Sequence, residues 1–141
     1  MIKRHCSVQA KILYFREILS LIEDFAAAAR IANEDCHKLT LIVEELFTNT
    51  IRHGHGGDSD SPVSVSLESH SGKLKVVYED AAPEYDSLAA AMRTNVASTV
   101  NNLKVGGLGV ALTFAIAESA QYAYVEGRNR IVITLAGQHQ S

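Results

Sequence analysis

Apolar residues return every three or four positions at Ile12, Phe15, Leu19, Ile22 and Phe25, the recurrence of a helix with one buried face, and predict a helix over residues 10–32. Asn33 is a residue type that caps free helical N–H groups, and Glu34 and Asp35 follow where negative charge meets the positive end of a helix dipole, so a second helix is expected to start there. Its apolar face is Leu39, Ile42, Val43, Leu46 and Thr50, and it is expected to run to about His53, where the glycines from Gly54 onward permit a left-handed stop. The period then changes to two. Val63, Val65 and Leu67 alternate with serines, and Leu74, Val76 and Tyr78 alternate with polar neighbours, which predicts a half-buried antiparallel hairpin with its turn over residues 69–72.

A short extended segment, residues 2–7, precedes the helices. Residues 87–92 read as a short helix, and the stretch to Val105 lacks a period and reads as a loop. Gly106-Gly107-Leu108-Gly109 then opens a helix to about Glu118, and strands "AYVEG" and "RIVITLA" close the chain around a turn at Gly127 to Asn129. The order strand, two helices, hairpin, loop, helix, hairpin predicts an α+β two-layer sandwich with a mixed, largely antiparallel sheet and helices packed on one face.

Composition narrows the function classes. With 141 residues, 47% of them hydrophobic, the chain fits one domain, residues 1–141, with a continuous core. A net charge of −3, with Lys and Arg scattered, lacks the basic footprint of a nucleic-acid binder. The longest apolar run, Val110 to Ala117, is too short to span a bilayer and the start is no signal peptide, so no membrane is expected and a cytoplasmic location is. Cys6 and Cys36 lie far apart without CxxC spacing and read as reduced thiols on the core side.

The chemistry concentrates in "LIVEELFTNTIRHGHGG", residues 41–57. At about 100° per residue, Glu45 and Asn49 share one flank of the apolar stripe, whereas Glu44 falls on the far, solvated side. Asn49 offers a neutral carbonyl oxygen, a hard ligand suited to Mg²⁺, which leaves Glu45 available as a base. Alone, a Glu and an Asn four apart are more often a surface pair, and His53, one turn on, more often meets free helix-end carbonyls. "HGHGGDSD" lacks fixed ligand spacing and is discounted as a metal site.

Two further signals follow. Gly106, Gly107 and Gly109 allow close backbone approach to an anion, the helix behind them offers unpaired N–H groups, and Lys104 adds positive charge; the plainer reading is a hinge. Neither the GxxxxGK[ST] loop nor a dinucleotide fingerprint is present. Asp80, at the end of a strand in "VVYEDAAP", can accept a hydrogen bond from an exocyclic amine and so select adenine over a 6-oxo purine, although such an Asp more often begins a turn.

Taken in order, the ExxxN helix, Asp80 after a hairpin strand, a variable loop and GGLG opening a helix resemble the ATP-binding module of the GHKL superfamily, with its histidine-kinase-like ATPase fold. "VEELFTNTIRHG", "EDAAPEYD", "GGLGVAL" and "GRNRIVITL" are most similar to the small serine/threonine kinases that act as anti-sigma factors in bacterial partner switching. The resemblance implies ATP and Mg²⁺ as cofactors, Glu45 as the catalytic carboxylate, Asn49 as the Mg²⁺ ligand and Asp80 as the adenine selector. It implies a phosphate loop at Gly106, Gly107, Leu108 and Gly109 with Lys104 beside it, His53 as the last residue of the nucleotide-binding helix motif, Thr134 near the adenine, and residues 87–105 as a lid over ATP. Neither a phosphoacceptor-histidine helix pair before the module nor a complete sensor kinase is expected.

The implied activity is transfer of the ATP γ-phosphate to a Ser or Thr of a STAS-type anti-anti-sigma partner, with a sigma factor as a second partner and pairing into a homodimer common among relatives. The alternative is a non-catalytic, nucleotide-gated module that sequesters a partner without phosphorylating it. One departure bears on both: Ala81 and Ala82 stand where the family commonly has glycine.

Overall fold

The computed structural model describes residues 1–89 and 117–137. The chain begins with strand β1 (Ile2–Gln9), then helices α1 (Phe15–Ala29) and α2 (Asn33–Asn49), strands β2 (Pro62–His70) and β3 (Lys73–Asp80), and, after the undescribed stretch, β4 (Ser119–Val125) and β5 (Arg128–Ala136). The five strands form one sheet in the order β1-β2-β3-β5-β4. All four pairings are antiparallel, so the parallel component of a mixed sheet is absent among the described strands.

Alternation places the strands. Val63, Val65 and Leu67 of β2, Leu74, Val76 and Tyr78 of β3, and Ile131, Ile133 and Leu135 of β5 are buried in one cluster with Ile18, Ile22 and Phe25 of α1 and Leu39, Ile42, Val43, Leu46 and Phe47 of α2. Both helices therefore cover the same sheet face, and the opposite face carries Ser64, Ser66 and Glu68 of β2, Lys73, Lys75 and Glu79 of β3, and Arg128 and Arg130 of β5. Burial, at roughly 1.5–3 kcal/mol per large apolar side chain, is what docks α2. Its N-cap supplies nothing comparable: the cap is Ala32, with no side-chain hydrogen bond, and the expected cap Asn33 is already the first helical residue. Glu34 and Asp35 do fall in the first turn.

The first helix is shorter than its periodicity. Ile12–Tyr14 form a 3-10 turn, and Ile12 is 50% exposed there, which shifts the buried stripe of α1 to Ile18, Ile22, Phe25 and Ala29. A left-handed Arg30, φ 55°, ends the helix. Both hairpins turn through pairs of positive-φ residues, Ser71 (50°) with Gly72 (76°) and Glu126 (52°) with Gly127 (79°). Such two-residue turns match the twist of the flanking strands. The final turn therefore ends at Gly127, and Asn129, expected in the turn, is a buried residue of β5 opposite Asp80.

Candidate nucleotide site

α2 carries Glu44 exposed, and Glu45 and Asn49 half-buried, as their positions around the helix require. The helix does not run straight on to His53. From Thr50 to Gly54 the chain widens into one π-helical turn, closed by the His55 amide on the Thr50 carbonyl at 3.0 Å. Such turns interrupt the regular ladder and recur at functional sites. The left-handed glycine comes later, at Gly56, φ 72°. His53 is exposed on the π turn.

The π turn buries Thr50 against the end of β3. Thr50 Oγ1 lies 2.7 Å from Asp80 Oδ2, 2.6 Å from the Tyr78 hydroxyl and 3.0 Å from the Leu46 carbonyl. A hydroxyl has one proton to give, and a carboxylate oxygen only accepts. The consistent assignment is a relay in which Tyr78 O–H donates to Thr50 and Thr50 O–H donates to Asp80. Burial, the largest influence, raises the Tyr78 phenol well above its ordinary value, the Thr50 bond opposes this and the Asp80 charge adds to it.

Asp80 is 8% exposed, and hydrogen-bond donors stabilise its carboxylate there. Oδ1 accepts from the Ala82 amide at 3.1 Å and Asn129 Nδ2 at 2.9 Å, while Oδ2 accepts from Thr50 alone among the described residues. Among the described residues one acceptor position on Oδ2 is therefore unfilled. This acceptor fits the N–H of an exocyclic amine at the end of β3, beside the helix end that bears Asn49.

The substituted turn also fits. Neither Ala81 nor Ala82 has positive φ, so alanine is unstrained there. The Ala82 methyl is accommodated because Gly54 has none: a Cβ at Gly54 would stand 2.7 Å from Ala82 Cβ. Beyond the turn, Asp86 Oδ1 accepts from the Ala89 amide at 2.9 Å and caps the helical residues 87–89.

Thr134, expected near the adenine, stands apart from Asp80. It lies on β5 opposite Lys75 and Ser119, on the face away from the helices, five positions from Asn129, which pairs with Asp80. At about 3.3 Å per residue that is about 17 Å along the strand. The threonine that meets Asp80 is Thr50. By pattern Thr50 belongs to the apolar stripe and Asn129 to a turn; a hydroxyl on the buried face and the Glu-Gly dipeptide that sets the β5 register are the signals for their meeting with Asp80. Lys104, Gly106, Gly107, Leu108, Gly109 and residues 90–105 of the expected lid lie outside the described residues. Among the described residues no group of three or more His, Cys, Asp or Glu could hold a metal, and no helix is long and apolar enough to cross a membrane.

A model of the histidine kinase-like ATPase domain matches residues 8–135. The chain belongs to that family. It is 22% identical over 122 residues to the serine-protein kinase RsbW of Listeria innocua and, equally, to that of Listeria monocytogenes, covering 84% of this chain and 78% of each relative. Its fold is shared with a Mycobacterium tuberculosis protein whose structure contains RsbU and RsbW domains, at a TM-score of 0.69 and 15% identity. That match covers 100% of this chain and 34% of the longer one. The antiparallel sheet with helices on one face is thus the fold of this ATPase family.

Proposed function

We propose that this histidine kinase-like ATPase domain is an ATP-dependent serine/threonine protein kinase of the anti-sigma-factor type. The observation that carries the reading is Asp80 Oδ2, held by Thr50 at 2.7 Å with one acceptor position unfilled among the described residues, at the end of the helix that bears Glu45 and Asn49. Membership of the ATPase family and similarity to proteins named serine-protein kinases support it.

In this reading Asp80 accepts the 6-amino group of adenine and excludes 6-oxo purines. Asn49 would hold Mg²⁺ through its side-chain carbonyl oxygen, and the ion would supply charge neutralisation on the phosphates. Lys104 and the amides of Gly106, Gly107, Leu108 and Gly109 would bind the phosphates, His53 would stand at the rim, and residues 87–105 would cover the nucleotide. Glu45 orients the partner's Ser or Thr hydroxyl and takes its proton as that oxygen bonds to the γ-phosphorus and the bond to the β-phosphate oxygen breaks, releasing ADP. The partner is a STAS-type anti-anti-sigma protein, with a sigma factor as the competing partner, a cytoplasmic setting and a single kinase unit over residues 1–141.

The non-catalytic alternative takes some weight from Ala81 and Ala82, and the fit of Ala82 to Gly54 supports a turn that keeps its shape with alanine. Incubation with γ-labelled ATP and a STAS-domain protein encoded nearby discriminates the two. A labelled partner is expected; ATP binding without label on any Ser or Thr supports the sequestering module.

A further inference from the structure

Asn129 is 6% exposed and uses its whole amide. Nδ2 donates to Asp80 Oδ1 at 2.9 Å, the Ala82 carbonyl at 3.1 Å and the Pro83 carbonyl at 3.1 Å. Oδ1 accepts from the Tyr85 amide at 3.0 Å and the Tyr122 hydroxyl at 2.6 Å. The amide orientation is fixed by this environment, since the flipped form would set oxygen against three acceptors and nitrogen against a backbone N–H.

We propose that Asn129 is the positioning residue of base recognition: it locks Asp80 Oδ1 and the 82–85 turn together, so that Oδ2 is the oxygen presented to the 6-amino group. The inference rests on the nucleotide reading above and adds a residue and a device to it. Segment 82–85 continues past the end of β3. Asn129 replaces ladder bonds there by gripping two of its carbonyls, those of Ala82 and Pro83, and the Tyr85 amide from the neighbouring strand. The β5 register, which pairs Asp80 with Asn129, brings the amide within reach. Aspartate would match its size and keep the acceptor for Tyr85 and Tyr122, but would face Asp80 with a second carboxylate. Thr50 and Asn129 thus hold opposite oxygens of one carboxylate.

Equilibrium binding of ATP and of purine riboside triphosphate, which lacks only the 6-amino group, tests this on the full chain as wild type, Asn129→Ala and Asn129→Asp. Wild type is expected to prefer ATP. Both variants are expected to lose about tenfold in ATP affinity and less than about twofold for the analogue, the signature of a charge-assisted hydrogen bond acting through the amine. Equal losses for the two nucleotides, or undiminished ATP affinity, overturn the inference and leave the nucleotide reading standing. Wild type that binds neither nucleotide overturns that reading, and this inference with it. Hydrogen exchange of wild type without nucleotide needs no variant: slow exchange at the Tyr85 and Ala82 amides is expected, and exchange at the open-chain rate overturns the proposed lock.

Discussion

Gly54 and Ala82 share one contact across the π turn, with room for a single methyl group between them: a Cβ on Gly54 would lie 2.7 Å from the Cβ of Ala82. Gly54→Ala should therefore cost about 1–3 kcal/mol, the usual range for overpacking a closed contact. Adding Ala82→Gly should return most of it. Urea unfolding of both single variants and the double variant measures this, and additive losses would show that the two positions do not compete for the same space.

Two threonines carry opposite expectations. Thr50→Val removes the donor to Asp80 Oδ2 and leaves a buried carboxylate oxygen short of a partner, a loss of about 1–3 kcal/mol with weaker ATP binding. Thr134→Val, on the outer sheet face, should change stability by less than about 0.5 kcal/mol and leave ATP affinity unaltered. Thermal unfolding and calorimetry check both; the reverse ranking would place Thr134, not Thr50, on the adenine side.

Tyr78 predicts an alkaline limit. Its phenol is raised well above the ordinary 10.0, chiefly by burial, so the folded chain keeps a proton that the unfolded chain loses. That stabilisation is complete below about pH 10 and declines as pH rises towards the folded-state value. Tyr78→Phe should be less stable at neutral pH by about 1 kcal/mol and show a flatter fall above pH 10. Denaturant midpoints between pH 8 and 11 measure the slopes, and parallel curves would remove Tyr78 as the cause.

Glu45 and Asn49 should separate binding from transfer. Glu45→Ala is expected to bind ATP while losing phosphorylation of the partner by at least about 100-fold, the range for removing a positioned base. Asn49→Ala should lose the Mg²⁺-dependent part of nucleotide affinity in calorimetry. Transfer at the wild-type rate by the first variant, or unchanged Mg²⁺ dependence in the second, would withdraw the corresponding role.

Much of this protein is local, and what is local is readable from the chain. The stripe Leu39, Ile42, Val43, Leu46 and Thr50 is buried as its spacing requires, and Val63, Val65, Leu67, Leu74, Val76 and Tyr78 all face the core, because helical and extended chains sort side chains by fixed periods. The same rule separates exposed Glu44 from half-buried Glu45. Asp80 at its strand end was equally legible.

The partners of Asp80 were not legible, because they depend on register and on contacts across long sequence separations. Asn129 reaches Asp80 only because the Glu126-Gly127 turn starts β5 at Arg128, and one residue of slippage would turn its side chain to the other face. Thr134 fits the motif, yet strand parity and five residues of distance part it from Asp80, while Thr50, whose burial the helical period announces, meets Asp80 only because the helix end packs against the end of β3. The sequence by itself determined which faces are buried and where the carboxylates stand. Only the tertiary structure decided which amide and which hydroxyl hold Asp80, because hydrogen bonds require ångström-scale register that packing supplies and hydrophobic pattern does not.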